Sequence, residues 1–378
     1  MPQIAMVIDP WFHPFNGTVV STRRFVAALT NRFDFRILIA GDPNDPPDNR
    51  CIGFVPLRIP GINSILDRMK APLALPNRKR LRQVIADADL LHVQFPFFLG
   101  HGAIAEAHRQ GKPVVMSFHV QPENILNNLG LSSPWLTKML YKFFVWRFYS
   151  RADRVIAPSQ FAADLLRDAG LTKSVSVLSN GVTEAFFLER DPATETPPYD
   201  VISVGRLAKE KQQSQLLRAV AASKHSKDIR LTLAGTGPQQ QKLAALATDL
   251  GVSAEIGRVS DERLKALYRT AHLFVQTSAV ELEGMSVLEA MAAGCPVLIN
   301  KSSTSAVPEF VTAEEATYKM NDVTELTRKL DAMLDHQWIR TAAGRENREI
   351  ARGRHHASSA DKLADIYGDV LSTASKAT

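Results

Sequence analysis

Glu281-Leu-Glu-Gly-Met-Ser-Val-Leu-Glu-Ala-Met-Ala-Ala-Gly-Cys-Pro296 follows an apolar run that ends at Gln276 and leads into another, Pro296 to Ile299. Gly284 and Ser286 suit a helix start, Met285 to Ala293 are strong helix formers, and Gly294 with Pro296 stops the helix before the next strand. The stretch therefore reads as strand, loop, helix and strand, the unit from which parallel sheets covered on both faces are assembled. Glu281 falls in the loop and Glu289 in the first turns of the helix. The amides at Gly284, Met285 and Ser286 can meet an anion, while the two carboxylates can grip hydroxyls beside it. Two acids alone also fit a helix-terminus charge pattern with a solvated loop.

Outward from this unit, apolar runs alternate with helical periodicity along the whole chain. In the second half they are Tyr199 to Val204, Ile229 to Ala234, Ala254 to Ile256, Leu273 to Gln276 and Pro296 to Ile299. In the first half they are Ile4 to Ile8, Phe35 to Ala40, Leu90 to Phe95, Val114 to Phe118, Val155 to Ala157 and Ser174 to Leu178, with helices such as Thr18 to Thr30 and Phe161 to Asp168 between them. The polar, Pro-rich Asp191 to Pro198 reads as an interdomain linker. The expected fold is α/β: two tandem Rossmann-like, doubly wound domains facing a central cleft, with ligand bound at the carboxyl ends of the strands. Residues 1–185 form the first domain, 186–198 the linker and 199–352 the second domain. Helical residues 353–378 are expected to pack back on the first.

With 378 residues, 45% hydrophobic and 22% charged, there is ample material for two cores. Only Cys51 and Cys295 are present, far apart, which excludes a disulfide scaffold and a cysteine zinc site and suits a reducing compartment. No run reaches the length of a spanning helix, and Met1 to Val7 enters an apolar strand without a basic leader, so neither a membrane span nor a signal peptide is expected. The net charge of +6 divides unevenly, with an excess of seven positive charges over Met1–Ala185 and of one negative charge over the remainder. The first domain should thus face something acidic. Nucleic acid is disfavoured, because no recognition motif accompanies the charge.

Glu281 and Glu289, followed by Ala-Met-Ala-Ala-Gly-Cys-Pro, resemble the acidic motif of the retaining glycosyltransferases of family 4, which have the two-domain GT-B fold. Val204-Gly-Arg-Leu-Ala-Lys-Glu-Lys211 is similar to that family's strand-end Gly-Arg with a Lys five residues on, though Gln212 stands where the family has Gly. The resemblance implies that Arg206 and Lys211, next to Gly205, bind the donor diphosphate, and a guanidinium and an ammonium can neutralise charge growing on that leaving group. It further implies that Gly235 in Leu233-Ala-Gly-Thr-Gly-Pro238 shapes a tight turn near the nucleotide, that Arg258 and Val259 frame the base, and that Glu289 holds the ribose. In Trp11 to Ser21 only Gly17 of a usual glycine pair carries over. His119, in Phe118-His-Val-Gln-Pro-Glu-Asn124, resembles the family histidine that contacts the donor sugar and, with Glu281, would orient the hexose.

Phe118 to Asn124 and Glu281-Leu-Glu-Gly are most similar to the subgroup acting on diacylglycerol and related lipids. Pro134 to Arg154 interleaves aromatic residues with Lys138, Lys142, Arg147, Arg151 and Arg154, and Ile59 to Arg82 adds Arg68, Lys70, Arg78, Lys79, Arg80 and Arg82 around apolar residues. On one continuous helix, Arg147, Arg151 and Arg154 would cluster within about 60°. A buried core helix with basic ends is the competing reading. Together they suggest a first domain resting on an anionic bilayer. The expectation is a hexosyltransferase using a nucleoside-diphosphate sugar, UDP-linked, on a membrane lipid such as diacylglycerol, peripheral on the cytoplasmic face of the cell membrane. No cofactor and no metal is expected: Asp87-Ala-Asp89 precedes its strand instead of following it, and His92, His101 and His108 lack metal-ligand spacing. A family 4 enzyme with a soluble or polysaccharide acceptor, and a non-catalytic sugar-nucleotide-binding protein, are the alternatives.

Overall fold

A computed structural model describes every residue except 13–16, 46–47, 59–71, 132, 192–195 and 378. Two compact units divide the chain, Met1–Asn180 with Ala357–Thr378, and Gly181–His356. In the first, β1 (Gln3–Val7), β2 (Asp34–Ala40), β3 (Cys51–Phe54), β4 (Leu90–Val93), β5 (Val114–Ser117), β6 (Arg154–Ala157) and β7 (Val175–Val177) form a parallel sheet in the order β3-β2-β1-β4-β5-β6-β7. In the second, β8 (Tyr199–Val204), β9 (Ile229–Ala234), β10 (Ala254–Gly257), β11 (Leu273–Gln276), β12 (Val297–Asn300) and β13 (Thr317–Tyr318) run β10-β9-β8-β11-β12-β13, again parallel. Central strands carry apolar residues without alternation because helices cover both faces. Ile4 to Val7 and Val297 to Ile299 are buried accordingly.

The expected doubly wound α/β architecture is present in both units. Two strands escaped the sequence reading. β3 is four residues with Gly53 inside, where a Cβ would lie 2.2 Å from the Asp42 carbonyl oxygen, and β13 is two residues.

The Pro-rich stretch does not lie between the units. The second unit begins at Gly181, where Val182 pairs with His355 and Phe186 is buried in the second core, so residues 186–191 belong to that unit; 192–195 lie outside the described residues. The final helix, His356–Ala377, places Leu363, Ala364, Tyr367 and Val370 in the core of the first unit.

The basic, aromatic stretch also differs from the expectation. The helix Pro134–Arg147 stops at Phe148, and Arg151 sits in a 3₁₀ turn while Arg154 opens β6, so the angular clustering of the three arginines does not arise. One face of this helix buries Tyr141, Phe144 and Val145. The other exposes Trp135, Met139, Phe143 and Trp146 with Lys138 and Lys142, which departs from a wholly buried core helix. Of the second basic stretch, residues 59–71, including Arg68 and Lys70, lie outside the described residues.

Candidate functional site

In the second unit, β8 and β11 are neighbours from which the chain winds in opposite directions, and such a switch point leaves room at the strands' carboxyl ends. Gly205 and Arg206 leave β8 there, and Thr277 to Glu281 leave β11. The Ala279 amide donates to the Glu210 carbonyl at 2.8 Å and the Thr277 hydroxyl to the Lys211 carbonyl at 2.7 Å, locking the two loops together. Lys211 Nζ then reaches Glu281 Oε1 at 2.5 Å across 70 residues of sequence. Both side chains keep about a fifth of their surface exposed, 22% and 18%. Arg206 pairs with Glu210, whose side chain is buried, so the guanidinium is held from below while part of it faces solvent. The carboxylate of Glu210 was missed in the sequence, where an acid between two lysines reads as solvated.

Gln212 adopts φ 51°, ψ 30°, the left-handed conformation that glycine takes without penalty. The departure from the family's Gly thus leaves the turn intact, and Gln215 Nε2 donates to Gln212 Oε1 at 2.7 Å. Gln212→Gly is expected to change stability by no more than about 1 kcal/mol, relief of strain opposing greater freedom in the unfolded chain. Urea denaturation checks this, and a loss well beyond that figure would show that the Gln212 side chain holds the turn.

The turn after β9 packs against the Arg206 loop. Gly235 donates its amide to the Gly257 carbonyl at 2.7 Å, and a Cβ on Gly235 would stand 1.9 Å from the Gly205 carbonyl oxygen. Arg258 is exposed at the end of the edge strand β10, and Val259 packs on the core. The helix Met285–Ala292 starts at Gly284, whose φ of 84° suits glycine and whose Cβ would meet Val307 at 2.4 Å. Helix geometry leaves the first-turn amides of Met285 and Ser286 without intrahelical acceptors. Glu289, partly buried on this helix, accepts a long 3.4 Å hydrogen bond from the Tyr268 hydroxyl. Of the second unit's predicted residues, Lys211 and Glu281 are in direct contact, and Gly205 lies against Gly235.

In the first unit His119 follows β5 and is partly exposed, with Phe118 beneath it sealed by Tyr141 and Tyr149. Burial lowers its pKa to about 4, so the ring is neutral at physiological pH, with one donor and one acceptor nitrogen. Gly17 opens the helix Gly17–Leu29, while Asn16 lies outside the described residues. Asp87 ends the helix Arg78–Asp87, and Asp89 Oδ2 accepts from the Gln3 amide at 2.7 Å, a turn between helix and strand. Asp9 was not singled out in the sequence, although it directly follows the apolar run Ile4 to Ile8. It is 1% exposed, accepts from the Ala74 amide at 2.9 Å through Oδ1, and leaves Oδ2 unpartnered.

Two family profiles match the chain in succession: "Glycosyltransferase Family 4" over residues 15–186 and "Glycosyl transferases group 1" over residues 186–350. An alpha-monoglucosyldiacylglycerol synthase of Streptococcus pneumoniae is 24% identical over 314 residues, 78% of this chain and 70% of that protein. A GDP-mannose-dependent alpha-mannosyltransferase of Mycolicibacterium smegmatis is 29% identical over 314 residues, 78% of this chain and 79% of that protein. Among solved structures, sucrose-phosphate synthase from Thermosynechococcus elongatus superimposes with a TM-score of 0.78 at 18% identity, over 99% of this chain and all of that one.

Proposed function

Because the chain belongs to glycosyltransferase family 4 and is a hexosyltransferase, we propose that it moves a hexosyl unit from a UDP-linked sugar to a hydroxyl of a membrane lipid such as diacylglycerol, keeping the anomeric configuration. The observation that carries the lipid acceptor is the outward face of the helix Pro134–Arg147. Trp135 and Trp146 are 66% and 69% exposed there, with Met139, Phe143, Lys138 and Lys142 beside them. Large apolar groups among cations suit insertion at an anionic interface. The name of the Streptococcus relative points the same way. Among the described residues no helix is long and apolar enough to cross a membrane, and the reading is of peripheral attachment at the inner face of the cell membrane.

On the donor side, Arg206 and Lys211 bind the diphosphate and stabilise it as the glycosidic bond breaks. The amides of Met285 and Ser286 and the close-packed Gly205 and Gly235 turns take its oxygens. Glu289 holds the ribose, and Arg258 with Val259 frames the base. Glu281 and the neutral His119 orient the hexose, and Gly17 lets backbone approach the substrates. The departing phosphate takes the acceptor's proton, so no side chain need be a covalent nucleophile, and no metal or other cofactor is invoked.

Incubating the protein with UDP-glucose, UDP-glucuronate or GDP-mannose and either diacylglycerol micelles or a soluble sugar acceptor, with products read by mass spectrometry, tests the reading. A glycosylated diacylglycerol from a UDP-sugar is expected. Product from GDP-mannose alone, the donor named for the Mycolicibacterium relative, would replace the nucleotide assignment, and product only on a soluble acceptor would remove the lipid. Trp135→Ser with Trp146→Ser is expected to weaken sedimentation with anionic vesicles roughly tenfold while the donor KM holds. Unchanged sedimentation would remove this face from membrane contact.

A further inference from the structure

We propose that His92 and Tyr367 are positioning residues for His119, which makes the final helix a part of the reacting machinery; this rests on the glycosyl-transfer reading of His119. His92 stands on β4, paired with β5 in the register His92 to Val115. Its Nδ1 lies 2.6 Å from the Tyr367 hydroxyl and its Nε2 2.8 Å from the Ser117 hydroxyl. Tyr367 is 0% exposed, and 275 residues separate it from His92 in sequence.

Ser117 ends β5 two residues before His119, and alternation along an extended chain turns residues i and i+2 to one side. Ser117, His92 and His119 accordingly line one cavity of about 20 Å³ in the first unit, which Ser21, Asn180 and Leu363 also line. Among the described residues no hydrogen bond holds His119, so its ring is set by the backbone that bears it and by these walls.

A neutral imidazole has one donor and one acceptor nitrogen, and a hydroxyl can serve either. The chain Tyr367, His92, Ser117 is therefore complete while His92 is uncharged. Burial first, and then the neighbouring His119, lower the His92 pKa to about 3, which keeps it uncharged over the working range. The ring is thereby fixed at both ends and pins the last residue of the strand from which His119 departs. Deleting the phenolic hydroxyl removes a contact to His92 and none to His119, so a change at His119 reports transmission through His92 and the residues bonded to it, Ser117 and Gln94.

With ¹³C-labelled histidine, the Cε1–Hε1 signal of His119 at pH 7 is expected to shift and broaden in Tyr367→Phe and in Ser117→Ala, and to stay as in the parent in Val370→Ala, a core change on the same helix. kcat is expected to fall five- to twentyfold in Tyr367→Phe with the donor KM within twofold, and Tyr367→Phe is expected to cause no further loss in a His119→Ala background. An unmoved His119 signal in both test variants, an equal response to Val370→Ala, or losses that multiply in the double variant would overturn the positioning role. The magnetic resonance arm needs no substrate. Its outcome therefore stands whether or not the parent protein transfers a sugar.

Discussion

Replacing Lys211 by Ala, and separately Glu281 by Ala, is expected to lower kcat at least about 100-fold, equivalent to about 2.7 kcal/mol of transition-state stabilisation. The chemistry concentrates negative charge on the leaving diphosphate, and Lys211 is the cation that the β8 and β11 loops hold jointly at their carboxyl ends. Glu281 aims the ammonium, and on the proposed function its second oxygen is offered to a sugar hydroxyl. Because both side chains reach solvent, the stability cost is expected to be only about 1 kcal/mol. Steady-state rates with urea midpoints measured on the same samples separate the two effects. Near-normal turnover in both variants would reject the roles assigned to this pair.

Asp9→Asn is expected to stabilise the protein by about 3 kcal/mol more at pH 8 than at pH 5. Burial raises the Asp9 pKa from 3.8 to about 7, and the hydrogen bond from Ala74 offsets only part of this. Between those values the unfolded carboxyl has lost a proton that the folded one keeps, so stability falls as pH rises through the window and the loss is complete above it. His92 and His119 act in the opposite sense. Their folded values, about 3 and about 4, lie below the ordinary 6.5, so they cost stability as pH falls through 6.5. That contribution is common to parent and variant, and the difference between them isolates Asp9. A gain of equal size at both pH values would show that Asp9 is not protonated in the folded state.

Continuous apolar runs made most strands legible, because a parallel strand buried on both faces leaves an unbroken signature that Ile4 to Ile8 and Val297 to Ile299 display in full. Where signals were weak the reading slipped. The helix ending at Arg147 is followed by Phe148 and Tyr149 with neither Gly nor Pro, so nothing local marks its end. Phe186 and Phe187 pack on the second core before the Pro-rich stretch begins, which no composition shift announces. At the site, the strand-loop-helix pattern drew attention to Glu281, and the resemblance to family 4 to Arg206, Lys211 and His119. Their actual partners depend on strand order, which a one-dimensional pattern does not encode. Glu210 beneath Arg206, the unpartnered oxygen of Asp9, and Tyr367 against His92 are all products of tertiary packing.

The last helix completes the core of the first unit, supplying Leu363, Ala364, Tyr367 and Val370. During synthesis the ribosome therefore finishes Gly181–His356 before the opening 180 residues can bury their full apolar surface, and the later-made half is ready to consolidate first. Such long-range closure slows folding, since ends far apart in sequence must meet before either gains from the contact. A nascent chain stalled short of residue 357 would present an incompletely covered sheet to chaperones.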